Sequence, residues 1–329
     1  MATRELTPQD FETLLEFSKT LAQTAGKIIV EGSNAILNQD QGNVDEKKNS
    51  VDLVTQWDVK VEEHVKSEVA KTWPDFHFIG EETFSSGSEK PSLTDAPTFC
   101  VDPIDGTTNF VHGFPYACIS IGMFYKKQPL LGVIYNPFLN EMYYGLKGSG
   151  SYVSFPYLDK PLRLPIASQR SLPSLSQALI GVEWGSDRRL SVMQQKATSF
   201  LRLAGDKDEI PNARMAHSLR SLGSAALNYG QIARGGLDIY WEVGCWPWDV
   251  CAGIVIALEA GCYVTGSKNF FKAHRHEEPT LMTDWTELIW GRKYIVIRGI
   301  ADTPSEKGRD AQRRLVQDFY DSVEEWDAI

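Results

Sequence analysis

No run of about 18 uninterrupted apolar residues occurs in the chain, so the sequence predicts no membrane-spanning helix. The first residues, MATRELTPQDFETLLEF, carry acids and lack the apolar centre of a secretory signal. Basic charge is also short: 33 Lys and Arg face 43 Asp and Glu, a net charge of -10, which argues against a nucleic-acid partner. Cysteines are few and odd in number. Cys100, Cys118, Cys245, Cys251 and Cys262 form no CxxC, and most sit in apolar runs. Buried free thiols and a reducing, cytoplasmic location are therefore expected, rather than a disulfide framework. No GxxxxGK[ST] is present, so a Walker loop is excluded. Gly148-Ser149-Gly150-Ser151 lacks the spacing of a dinucleotide loop and the order of a nucleophile elbow. No internal repeat or low-complexity tract interrupts the 329 residues.

What remains is a globular α/β chain. Phe11, Leu14, Leu15, Leu21, Ala22, Ala25, Ile28 and Ile29 recur at the helical period and predict a helix over Thr7–Glu31, with Pro8 at its first turn. Val61, Val65 and Val69 predict a second over Asp58–Lys71. The period then changes. Short strands are expected at Phe76–Ile79, Phe99–Val101, Ala117–Tyr125, Leu130–Tyr135 and Glu141–Leu146, forming one early, antiparallel sheet. From about residue 161 the pattern alternates. Strands are expected at Ala178–Glu183, Leu237–Trp241 and Tyr294–Arg298. Helices are expected at Leu190–Ala204, Gly223–Ala233, Pro247–Ala260 and Thr303–Val323. This predicts a second α/β layer beside the first sheet, in one domain of approximate halves 1–160 and 161–329. The stretch 267–292 reads as an inserted loop. Its His274-Arg275-His276-Glu277-Glu278 is expected to be solvated rather than a zinc cluster. Trp57, Trp73, Trp241 and Trp248 fall within expected elements and should pack in the core, not form a carbohydrate platform.

Chemistry concentrates in Asp102-Pro103-Ile104-Asp105-Gly106-Thr107-Thr108-Asn109-Phe110, directly after a strand. Two carboxylates three residues apart at a strand end can converge on one cation, with the Ile104 carbonyl as a further oxygen ligand. Gly106 leaves room for an anion, and Thr107 and Thr108 offer hydroxyls and N–H groups. A hard cation beside an anion cradle is what phosphoryl transfer needs. Three weaker signals accompany it: Trp248-Asp249-Val250-Cys251-Ala252-Gly253 opening a helix, Gly80-Glu81-Glu82 at a strand end, and Asp58 at a helix start. Each has a plain alternative, as a dipole-favoured first-turn acid, a solvated loop pair or a cap.

Together these four segments resemble the inositol monophosphatase family, a magnesium-dependent, lithium-sensitive phosphatase superfamily, over roughly residues 10–265. The resemblance implies a layered α-β-α-β-α sandwich of the sugar-phosphatase type and a homodimer. It implies two to three Mg2+ ions held by Glu81, Asp102, the Ile104 carbonyl, Asp105 and Asp249. It gives phosphate to Gly106, Thr107 and Thr108, and the orienting of the attacking water to Asp58 and Thr107, beside Glu81. Lys47 matches a loop lysine that influences the site. Glu242, seven residues before Asp249, matches an acid that binds inositol hydroxyls, although it could instead pair with an arginine such as Arg234. Gly223-Ser224-Ala225 matches the segment against which the ring packs. The expected activity is hydrolysis of inositol monophosphate. Histidinol phosphate, a nucleotide 3'-phosphate, or a non-catalytic regulatory role such as that of fungal relatives in quinate-use gene clusters are the alternatives. Two departures bear on the pocket: the bulky Gly244-Cys245-Trp246-Pro247-Trp248 before Asp249, and Thr265 where many relatives carry an Asp.

Overall fold

The computed structural model describes residues 5–38, 44–46, 53–85 and 91–328. The chain opens with α1 (Pro8–Asn38), the ribbon β1 (Val44–Glu46) and β2 (Leu53–Thr55), and α2 (Gln56–Thr72). There follow β3 (His77–Gly80), α3 (Glu81–Ser85), β4 (Thr98–Asp105) and α4 (Thr107–His112). Next come β5 (Cys118–Tyr125), β6 (Gln128–Asn136), β7 (Glu141–Leu146), β8 (Gly150–Ser154) and β9 (Leu162–Arg163). The second half holds β10 (Leu179–Val182), α5 (Leu190–Ala204), β11 (Ser218–Arg220), α6 (Ala225–Arg234), β12 (Ile239–Val243) and α7 (Pro247–Glu259). It ends with β13 (Tyr263–Thr265), α8 (Lys268–His274), α9 (Thr286–Trp290), β14 (Lys293–Ile297) and α10 (Gly308–Ser322).

Strands β3 to β9 make a seven-stranded sheet in sequence order, antiparallel except for the parallel β3–β4 pair. The second sheet has the order β11-β10-β12-β14-β13. Period-two alternation sorts side chains between layers. Phe99 and Val101 of β4, with Leu131 and Val133 of β6, face α1 and α2. Cys100 and Ile134 point the other way, into a core shared with α6, α7 and residues Tyr240 and Val296 of the second sheet. On the far side of that sheet Trp241, Ile295 and Ile297 pack against α5 and α10 through Leu203, Leu315 and Phe319. The order is helix, sheet, helix, sheet, helix, as the resemblance implies.

Helix α7 is apolar on every side because it lies between the two sheets. Its close seat depends on Gly132 of β6. A Cβ there would sit 2.7 Å from the Ala252 Cα.

Several boundaries differ from expectation. Helix α1 runs on to Asn38, with Gly32 and Ser33 buried despite weak helix propensity. The last helix starts at Gly308 rather than Thr303, where the Asp302 carboxylate accepts from the Gly308 N–H at 2.8 Å. Strands β8, β9, β11 and β13 were not legible. Gly148-Ser149 is the β7–β8 turn, and the Gly148 and Gly150 N–H groups donate to Glu259 at 2.9 and 2.8 Å. The inserted loop expected over 267–292 contains α8 and α9 instead, with Phe270, Phe271, Trp285, Leu288 and Ile289 buried. His274 ends α8 with its ring stacked on Phe270 at 4.3 Å. Trp57, Trp241 and Trp248 are buried and Trp73 packs half-buried against the core. All five cysteines are free thiols. Among the described residues no helix is long and apolar enough to cross a membrane.

Candidate active site

Strand β4 carries the centre. Its register against β5 shifts between Asp102 and Asp105, and the irregularity turns both carboxylates toward one place. Asp102 accepts from the Ile104 N–H at 3.0 Å, an Asx turn that shapes the bend. Asp105 reaches the N-terminus of α6, accepting from Ser224 Oγ at 2.5 Å and from the Ala226 and Ala225 N–H groups at 2.7 and 3.2 Å. Asp249 sits in the first turn of α7 and accepts from the Trp246 N–H at 2.6 Å, so it is at once a helix cap and a site acid. Carboxylate oxygens of Asp102, Asp105 and Asp249 lie within 4.8 Å of one another.

Such a cluster resists ionisation. Burial, then the charges of Glu81, Asp249 and Asp105, push Asp102 well above the usual carboxylate range. Burial and Asp249 push Asp105 up to about 7, against the hydrogen bonds from Ser224 and α6. Burial likewise raises Asp249. Three oxygen donors, two buried and one half-buried, held in mutual repulsion fit a hard divalent cation, which would replace that repulsion with coordination.

Glu81 lines the same cavity, half-buried at the start of α3 and outside the 4.8 Å trio. Its position depends on Glu62 of α2, 3% exposed, which accepts from the Glu82 and Thr83 N–H groups, each at 2.7 Å. One helical turn earlier, Asp58 closes a capping box with Thr55, accepting from its N–H at 2.8 Å and its hydroxyl at 2.6 Å. The other Asp58 oxygen faces the Thr107 hydroxyl at 3.4 Å, and that hydroxyl also lies 3.1 Å from the Ile104 carbonyl. Gly106 precedes α4 with φ +91, and a Cβ there would meet the Gly223 carbonyl at 2.9 Å. Only glycine fits this corner, beside the first-turn N–H groups of Thr107 and Thr108.

Glu81, Asp102, Asp105, Asp249 and Gly106-Thr107-Thr108 floor a cavity of about 960 Å³, while Asp58 and Glu62 stand behind its lining. The rest of its lining, the wall, contains Glu183, the 184–188 loop, Gly223, Glu242, Trp246 and Trp326. Glu242, 6% exposed, accepts from the Tyr240 hydroxyl at 3.1 Å, and burial with the Glu183 charge pushes it up to about 8. Arg234 pairs with Glu141 at 2.9 Å, so the alternative pairing with Glu242 does not form. Ser224 and Ala225 line the cavity but spend their polar atoms on Asp105. The bulky segment before Asp249 leaves the cavity open: Trp248 is buried and stacked on Trp246, which Arg292 covers at 3.6 Å. Lys47 lies outside the described residues.

Sequence reasoning missed Glu62 and Glu183. Glu183 accepts from the Leu222 and Gly223 N–H groups at 2.9 and 3.0 Å, from Asn228 at 2.8 Å and from Ser221 at 2.7 Å. The signals were available: Glu62 is four residues after Asp58 on one helix face, and Glu183 directly follows the strand β10.

The model of the inositol monophosphatase family matches residues 10–322. Protein qutG of Emericella nidulans is 36% identical, the match covering 97% of this chain and 95% of that one. Inositol monophosphatase 2 of Saccharomyces cerevisiae is 38% identical over 85% of each chain. The quinic acid degradation cluster protein x of Neurospora crassa is 33% identical over 98% of this chain and 97% of its own. Among solved structures, the extragenic suppressor protein suhB of Bartonella henselae superposes with a TM-score of 0.68 at 25% identity, covering 93% of this chain and 98% of that one. The fold and the acidic cluster are those of a class of metal-dependent phosphatases whose members act on small phosphate monoesters. The chain belongs to the inositol monophosphatase family.

Proposed function

We propose that this chain hydrolyses inositol monophosphate to inositol and inorganic phosphate. The observation that carries the reading is the Asp102, Asp105 and Asp249 trio in a cavity whose lining also holds Glu242. Glu81, Asp102, the Ile104 carbonyl, Asp105 and Asp249 are assigned to two or three Mg2+ ions. Bound there, the ions supply an acidified water and neutralise the phosphate oxygens. Gly106, Thr107 and Thr108 present N–H groups to the phosphate. Asp58 and Thr107 orient the attacking water, whose oxygen bonds phosphorus as the ester oxygen leaves and takes up a proton. Glu242 accepts from ring hydroxyls, with Gly223, Ser224 and Ala225 beside the ring. Both halves of the chain contribute ligands, which supports reading them as one functional domain. Five free thiols support a reducing cytoplasmic location, and the homodimer is carried by the resemblance alone.

A second reading has a specific support. The quinic acid degradation cluster relative matches nearly the full length of this chain, where the yeast inositol monophosphatase matches 85%. A non-catalytic role follows if the fold is retained without turnover, yet all four acids are present. Phosphate release from inositol 1-phosphate, histidinol phosphate and a nucleotide 3'-phosphate, with and without Mg2+ and Li+, tests the proposal. Magnesium-dependent, lithium-inhibited release that is fastest from inositol 1-phosphate is expected. Preference for another ester replaces the substrate, and no turnover at all favours the regulator.

A further inference from the structure

Lys196 of α5 is 1% exposed, yet its ammonium forms no ion pair among the described residues. A charge so buried needs compensation. It donates to the carbonyl oxygens of Trp184 and, at 3.0 Å, Asp187, and lies 5.0 Å from the centroid of the Trp326 ring. Both carbonyls belong to the loop 184–188, which lines the cavity. A Cβ on Gly185 would lie 3.7 Å from Lys196 Nζ and 3.8 Å from Glu242 Oε1, so ammonium and carboxylate flank that glycine.

Trp326 comes from the opposite direction in sequence. The segment 324–328 follows α10 and is fastened residue by residue. The Glu324 N–H donates to Ser199 at 2.9 Å, and its carboxylate meets Arg202 at 3.3 Å. Lys293 pairs with Glu325 at 3.2 Å and Asp327 at 2.9 Å. Trp326 packs edge-on against Trp241 at 5.2 Å, and Trp326 and Ala328 reach the cavity.

We infer that Lys196 and Trp326 form a latch that sets the polyol side of the pocket and so determines which leaving group fits. The ammonium ties the 184–188 loop from within. The indole covers the ammonium, keeps water from competing for it and completes the wall. The loop in turn follows Glu183, which holds Leu222 and Gly223. Lys196 is thus a positioning residue and Trp326 a specificity residue. Neither touches the acids of the floor. The inference rests on the polyol-phosphate reading above only for the identity of what the wall selects.

The test compares Trp326→Ala, Trp326→Phe and Lys196→Met with the full wild-type chain in magnesium buffer. Kinetics are read on inositol 1-phosphate and on p-nitrophenyl phosphate, and amide hydrogen exchange is read over 184–188. Trp326→Ala and Lys196→Met are expected to raise KM for inositol 1-phosphate about tenfold, with kcat and p-nitrophenyl phosphate turnover within about threefold of wild type. Exchange over 184–188 should quicken about tenfold relative to β12, and Trp326→Phe should restore both readouts because it keeps an aromatic face. An unchanged KM with unchanged exchange in Trp326→Ala overturns the latch, as does an equal loss on both substrates. Should Lys196→Met fail to fold, the two Trp326 variants decide. Should wild type ignore inositol 1-phosphate, the substrate reading fails and exchange alone decides the latch.

Discussion

The floor and the wall of the cavity are built on opposite plans. The floor is acidic and compact: Asp102 and Asp105, both buried, come from one bend in β4, and the half-buried Asp249 from the first turn of α7. The wall carries charges of both signs and is assembled from β12 and the loops after β10, β11 and β12, together with residues near 326. The floor concentrates like charge that destabilises the empty fold. The wall spends its charges on backbone, as Glu183 and Lys196 show. A site divided this way separates chemistry from recognition. Substitutions in the floor should abolish turnover while relieving the fold. Substitutions in the wall should alter KM and leave the chemistry intact.

The sharpest break of that contrast is Asp102→Asn. Phosphate release should fall about a thousandfold or more, because a central ligand is lost. The metal-free variant should nevertheless melt at or above the wild-type temperature, since one member of a repelling cluster becomes neutral. Magnesium should raise the wild-type melting temperature by linkage and scarcely move the variant's. Calorimetry with Mg2+ and with EDTA checks both. Lower stability in the metal-free variant would mean that Asp102 is structural.

Gly132→Ala strikes the floor from behind. The new methyl meets the Ala252 backbone and presses α7, and with it Asp249, away from β6. Overpacking of this kind costs about 1–3 kcal/mol. Urea unfolding should show the loss, and the Mg2+ concentration for half-maximal activity should rise several-fold. An unchanged metal requirement would show that α7 can shift without carrying its acid.

The same division governs what could be read in advance. The floor was legible because ligand and cradle lie within the nine residues from Asp102 to Phe110, and because α7 opens with Pro247 two residues before its acid. The sandwich was legible wherever strands were long enough to alternate. The wall was not. Its residues are contributed singly, and Glu183 or Lys196 looks like any surface charge until the loop they hold is seen. Three-residue strands such as β11 and β13 give no period. In 267–292 the apolar pairs Phe270-Phe271 and Leu288-Ile289 stand apart, separated by the polar stretch that suggested a loop.

Glu183→Ala tests the wall at intermediate strength. Four donors lose their acceptor, among them the Leu222 and Gly223 N–H groups. Because Gly223 also meets Gly106, KM for the polyol ester should rise about tenfold while kcat changes less. A fall in kcat with KM unchanged would join wall and floor into one unit.

Glu242→Gln should change activity least and sharpen the comparison most. Burial and Glu183 raise its folded pKa to about 8, from an ordinary 4.5. Between those two pH values the folded protein holds a proton that the unfolded chain has released. The stability this contributes is therefore fully present below 4.5 and lost as pH rises through about 8. The slope is at most about 1.4 kcal/mol per pH unit. The glutamine variant lacks that term, so its melting temperature should gain on wild type steadily across the window and no further above it. Near pH 7 the amide resembles the protonated acid, and KM should rise only about threefold. At pH 8.5 wild type offers a carboxylate that only accepts, and the gap in KM should widen. A gap that narrows with rising pH would mean that the charged form of Glu242 does not face the hydroxyls.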